Sequence, residues 1–124
     1  MSRRISLDQV RKAKIIIDPV FQNSPQYNCE PLSALLNIDL TLKIETLNPI
    51  RSFKERGADF FLSQHDKEPR LMCASAGNFG QAMAYACRKK NVKLMVYAST
   101  HANPYKIERM KALGAEVRLF GEDF

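Results

Sequence analysis

Apolar and polar positions along the chain change period several times, and each change marks an element. Ser6 and Gln9 fit a capping box, and Leu7, Val10, Lys14 and Ile17 follow at helical spacing, so a helix is expected over about 6–17. Pro19, Pro25 and Pro31 then enforce an extended, irregular stretch, with a short helix over Leu32 to Leu36 before Asn37. Leu40, Leu42 and Ile44 alternate with Thr41 and Lys43, which reads as a strand, and Asn48-Pro49 breaks it. Ser52 and Glu55 form a second capping box, opening an amphipathic helix to about Gln64. Leu71 to Ala74 is a short apolar strand. The helix after Asn78 places Phe79, Ala82, Met83, Ala86 and Cys87 on one face. Leu94 to Tyr97 is a second buried strand. Asn103-Pro104 starts a helix with Ile107, Met110 and Leu113 as its apolar stripe; Gly114 stops it and Val117 to Phe120 is the last strand.

Strand and helix thus alternate from Asp39 onward, the signature of a parallel twisted sheet with helical crossovers in an α/β fold. The expected organisation is an N-terminal arm over 1–38 and a partial α/β domain over 39–124. Ligands on such sheets sit at the carboxyl ends of strands. Lys54 follows the first expected strand and Ser75 to Asn78 the second, so both fall on the ligand side.

Composition narrows the function classes. The 124 residues suffice for one small domain, and 45% hydrophobic content argues against disorder. No apolar run is long enough to span a bilayer, Asp18-Pro19 cuts off Ile15-Ile16-Ile17 before it could serve as a signal, and a cytoplasmic location is the default. Net charge is +6, but the basic residues are scattered without interleaved aromatics, so a solvated surface is preferred to nucleic-acid binding. Cys29, Cys73 and Cys87 are odd in number and widely spaced, which argues against a disulfide scaffold or a zinc site; Cys73 and Cys87 read as small core residues. His65 and His101 have no partner at ligand spacing, so no metal is expected.

Two segments carry candidate chemistry. Lys54, in Ser52-Phe53-Lys54-Glu55-Arg56-Gly57-Ala58, stands in the first turn of a helix. Such lysines are usually solvated surface residues. The positive end of the helix nevertheless disfavours a second cation, and a neutral amine is the form that attacks an aldehyde. Ser75-Ala76-Gly77-Asn78 joins a strand to a helix with small residues, so backbone amides are open to a carboxylate or phosphate. Read alone, it is more often a tight turn with Asn78 as an ordinary N-cap. Neither a Walker loop nor a GxGxxG fingerprint is present, which gives a nucleotide-binding domain little weight.

Taken together with Leu42-Lys43-Ile44-Glu45, Asn48-Pro49, Ser75 through Gln81 and Lys111-Ala112-Leu113-Gly114-Ala115-Glu116-Val117, these segments resemble fold type II pyridoxal-phosphate enzymes of the tryptophan-synthase-like type, the threonine/serine dehydratases most closely. The resemblance runs over nearly the whole chain and implies the smaller domain of such an enzyme, truncated. It implies Lys54 as the Schiff-base lysine, Phe53 near the cofactor ring, and Asn78 on the cofactor's phenolic oxygen. Ser75, Ala76, Gly77 and Asn78 would hold the carboxylate of threonine or serine. The implied reaction is β-elimination to a 2-oxo acid and ammonia.

Two departures stand out. Ile50-Arg51 occupies the place where many relatives have threonine-glycine. No two of Gly57, Gly77, Gly80, Gly114 and Gly121 are adjacent, so the family's glycine-rich phosphate loop is missing, as is the partner of the pyridine nitrogen. The expectation is therefore weak cofactor binding, no useful turnover by these residues alone, and apolar surfaces left uncovered. Threonine synthase, serine racemase and cysteine synthase are the enzymatic alternatives. A stand-alone binding or interaction module, a truncated relic, or half of a split enzyme are the others, and a homo-oligomer or a complementing chain is the expected kind of assembly.

Overall fold

The computed structural model describes residues 5–65 and 67–122; the outermost residues of the expected arm and domain, 1–4 and 123–124, lie outside them. Helix α1 (Leu7–Ile16) starts where Ser6 Oγ accepts the Gln9 amide at 3.2 Å, and it buries none of its residues. A 3-10 turn over Pro19–Phe21 follows, with Asp18 Oδ1 accepting the Val20 amide. Phe21 is buried there, edge-on to the Tyr85 ring at 5.4 Å.

The chain then forms β1 (Gln26–Asn28), α2 (Glu30–Leu36) and β2 (Thr41–Lys43). Asn37 ends α2 in the left-handed conformation, as asparagine does more readily than most residues. Here the structure departs from the expected strand arrangement. Residues 41–43 do not open the parallel sheet; they pair antiparallel with β1, with Tyr27 opposite Leu42, and the residues around Gln26 are not irregular. Strict alternation marks a half-exposed strand, which suits an antiparallel ribbon better than the inside of a parallel sheet.

The parallel sheet has the order β3–β4–β5, from β3 (Arg70–Ala74), β4 (Lys93–Ala98) and β5 (Glu116–Leu119). Met72 pairs with Met95, and Val96 with Val117. The crossovers are α4 (Asn78–Lys90) and α5 (Pro104–Ala112), which pack on each other; α4 packs on β4 and α5 on β5. Helix α3 (Lys54–His65) packs on the outer side of α4. Leu62, Ala82, Ala86, Cys87, Val96 and Met110 are the centre of this core. Cys73 is only half-buried.

Among the described residues the sheet is covered on one face. Leu94, Val96 and Ala98 point into the core, whereas Met95 and Tyr97 are half-buried and Met72 is 68% exposed. Parallel sheets normally have both faces covered. The expected uncovered apolar surface is therefore present, and Leu119 and Phe120 at the β5 edge add to it.

Candidate functional site

Helix α3 ends at His65 and β3 begins at Arg70, so α3 returns toward the start of that strand. Its first residue, Lys54, accordingly lies at the strand's carboxyl end. The turn Ser75–Gly77 leaves the same end of β3 and enters α4 at Asn78. Because α3 and α4 pack side by side, both helix N-termini sit at one end of the layer.

Each terminus is built differently from its sequence pattern. At α3, Ser52 Oγ accepts the Lys54 amide at 3.2 Å, but Glu55 does not reach back to complete a capping box. The Ser52 amide is taken by Asn48 Oδ1, and Glu55 is turned inward instead, 1% exposed. At α4 the N-cap is Gly77, not Asn78. Ser75, buried, caps from within: its Oγ accepts the Gly77 amide at 3.2 Å and the Gly80 amide at 2.9 Å. A Cβ on Gly80 would lie 2.5 Å from Met110 Sδ and 3.2 Å from Ser75 Cβ, so that close approach depends on glycine.

Gln81 N donates to Gly77 O, and the Asn78 and Phe79 amides find no acceptor among the described residues. They are the orphan donors expected at a helix start, where the helix dipole also favours an anion. Ala76 and Gly77 are half-buried and Asn78 is exposed, so the donors open to a ligand. Lys54 is exposed as well, with Nζ 4.9 Å from the centroid of the Phe53 ring, itself half-exposed. No described carboxylate pairs with this ammonium group.

Lys106 is a member of the site that sequence reasoning missed. A Cβ built on Gly77 would meet one atom within 4 Å, Lys106 Nζ at 3.9 Å. This places a cation of α5 beside the orphan amides, and like Lys54 it has no described carboxylate partner. The signal was its place two residues after the Pro104 that starts α5, at the ligand end of the sheet, but only the packing of α5 on α4 brings the two together.

Arg56 anchors the approach to Lys54. Its Nε donates to Phe21 O at 2.7 Å, and its Nη2 reaches Ser24 Oγ and both Glu45 oxygens, the nearer at 2.7 Å. Burial pushes the Glu45 carboxyl up, but hydrogen bonds from Arg56 and Ser24 outweigh this and hold it below its ordinary value. Arg51, three residues before Lys54, adopts φ 55°, the left-handed region that favours glycine. Ile50 beside it is buried. A separate apolar groove of about 460 Å³ runs between α1 and α3, lined by Val10, Ala13, Ile17, Gly57 and Phe60, and contains none of the candidate site residues. Among the described residues no group of three His, Cys, Asp or Glu is placed to hold a metal, and no helix is long and apolar enough to cross a membrane.

A parallel α/β layer with helical crossovers, carrying an exposed lysine and a small-residue turn at the carboxyl end of its first strand, is the fold expected of a fold type II cofactor enzyme's smaller domain. The comparisons agree: residues 17–124 match the family described as "Pyridoxal-phosphate dependent enzyme", and the chain belongs to that family. It is similar to the biosynthetic L-threonine dehydratase of Staphylococcus epidermidis, 32% identical over 98% of this chain and 30% of the relative. It is also similar to the human L-serine dehydratase/L-threonine deaminase, 33% identical over 85% of this chain and 33% of that protein. Among solved structures, the processed form of threonine deaminase isoform 2 from Solanum lycopersicum superposes with a TM-score of 0.74 at 29% identity, over 95% of this chain and 35% of that one. The chain therefore spans about a third of the length of the relatives it matches.

Proposed function

We propose that these residues supply the lysine-bearing, carboxylate-reading half of a pyridoxal-phosphate-dependent ammonia-lyase that eliminates the β-hydroxyl of threonine or serine. The observation that supports this reading is that α3 and α4, packed on each other, both start at the carboxyl end of β3: one start bears the exposed Lys54, the other two amides without an acceptor among the described residues. The residues present fit the cofactor's aldehyde: Lys54 Nζ is exposed and unpaired by any described carboxylate.

In this reading Lys54 Nζ would hold the cofactor through its aldehyde, and the freed amine would act as the base that accepts the substrate's α-proton. Asn78 and Phe79 amides receive the substrate carboxylate, with Ser75 Oγ holding the turn in shape and its own proton free to donate. Lys106 adds positive charge beside Gly77, which favours the substrate's carboxylate. The Asn78 side chain serves the ring oxygen and Phe53 the ring face. Bound pyridoxal phosphate supplies an electron sink for the pair left by the α-proton. The products are a 2-oxo acid and ammonia.

The similarity to dehydratases at 32–33% identity favours elimination over racemisation, threonine synthesis or cysteine synthesis. With no adjacent glycines to hold the phosphate, these residues bind the cofactor weakly and turn over only with a complementing chain or segment. The test is to mix the chain with pyridoxal phosphate, fix any covalent link with borohydride, and map it by mass spectrometry. The expected adduct is on Lys54 and disappears in Lys54→Ala. An adduct spread evenly over surface lysines would refute the assignment, and stoichiometric, slowly released cofactor would refute weak binding.

A further inference from the structure

The buried stripe of α3 is Glu55, Ala58, Asp59 and Leu62, so two of its four residues are carboxylic acids. Glu55 has no hydrogen-bond partner for its buried Oε2. Asp59 does: its Oδ2 accepts the Asp18 amide at 2.7 Å, which ties the N-terminal arm to α3. The Asp18 carboxylate in turn receives Lys89 Nζ of α4 at 2.6 Å. Groups from three elements thus surround Glu55: Asp59 on its own helix, Asp18 of the arm, and Lys89 with the buried Cys87 thiol of α4, behind which lies Cys73 of β3.

We propose that Glu55 is a proton-held latch for the N-terminal arm: neutral, it lets the arm dock on α3 and α4; ionised, it loosens that dock. A lone buried carboxyl carries far less desolvation penalty as the acid than as the anion. Ionisation would set a second buried charge one helix turn from Asp59, and the nearby Lys89 is already engaged by Asp18. The element that yields is the one held least. No residue of α1 is buried and the arm's only buried core residues among those described are Ile17 and Phe21, whereas α3 and α4 contribute a larger share of that core, and local opening takes the lowest-energy route.

Burial, and then the Asp59 charge, push the Glu55 carboxyl up from 4.5 to about 8 in the docked state. In an opened state that exposes it to water it returns to its ordinary 4.5. Below the lower value it is protonated in both states and docking is complete. Between the two values each pH unit favours release by up to about tenfold, and above about 8 it is ionised in both states and the effect levels off. The proposal is independent of the cofactor chemistry.

The test is amide hydrogen exchange on the intact chain from about pH 5 to about pH 9, expressed as protection factors for Ile17, which donates to Ala13 O, and Asp18. The expected result is protection that falls up to about tenfold per pH unit until about pH 8 and then flattens. Glu55→Gln and the apolar Glu55→Met are expected to show no such slope. Protection independent of pH in the unmodified chain, or the same slope in both variants, would overturn the latch.

Discussion

Arg51 and Gly80 carry opposite backbone demands. Arg51 is held at φ 55°, where a side chain is strained by its own backbone and glycine is not. Arg51→Gly is therefore expected to raise the unfolding free energy by roughly 0.5–1 kcal/mol, read by urea denaturation. Gly80 is the reverse case. A methyl group there meets Met110 and Ser75, both buried, and Gly80→Ala is expected to lower stability by roughly 1–3 kcal/mol in the same assay. It should also loosen the Ser75 cap. Lys54, Ser75 and Asn78 are legible in the sequence as candidates because their motifs are local and follow in order along the chain. The inward turn of Glu55 and the approach of Lys106 to Gly77 could not, since each depends on which face of a helix another helix covers.

Elements were legible where their signals were local. The starts of α1 and α5 follow the hydroxyl and asparagine caps, with Asn103 Oδ1 accepting the Tyr105 amide at 2.9 Å, and Gly114 ends α5 at φ 91°. The antiparallel ribbon was not legible, because pairing Tyr27 with Leu42 is a non-local choice that alternation alone does not decide. Nor was its attachment to the site helix. Arg56 joins the Phe21 carbonyl, Ser24 and Glu45 to α3 through one planar fork, and its side chain is 29% exposed. Lysine keeps the charge but cannot reproduce the fork. Arg56→Lys is thus expected to lower stability by roughly 1–3 kcal/mol, with the ribbon amides losing exchange protection before those of β4.

For the molecule as a whole, the sequence conveyed the α/β class and the parallel sheet, since apolar strands alternating with capped helices admit few other layouts. Uncovered apolar surface was expected, but which sheet face carries it was hidden, because β4 is apolar at both its buried and its half-buried positions. The shared end of α3 and α4 has an evolutionary consequence. The segment joining α3 to β3, with Lys67 and Glu68 exposed, lies at the opposite end of the layer from Lys54 and Ser75. Residues can be gained or lost there without changing the distance between the amine and the turn. The interval between the two motifs is thus free to drift in length over descent while their separation in space stays fixed by the contact between α3 and α4.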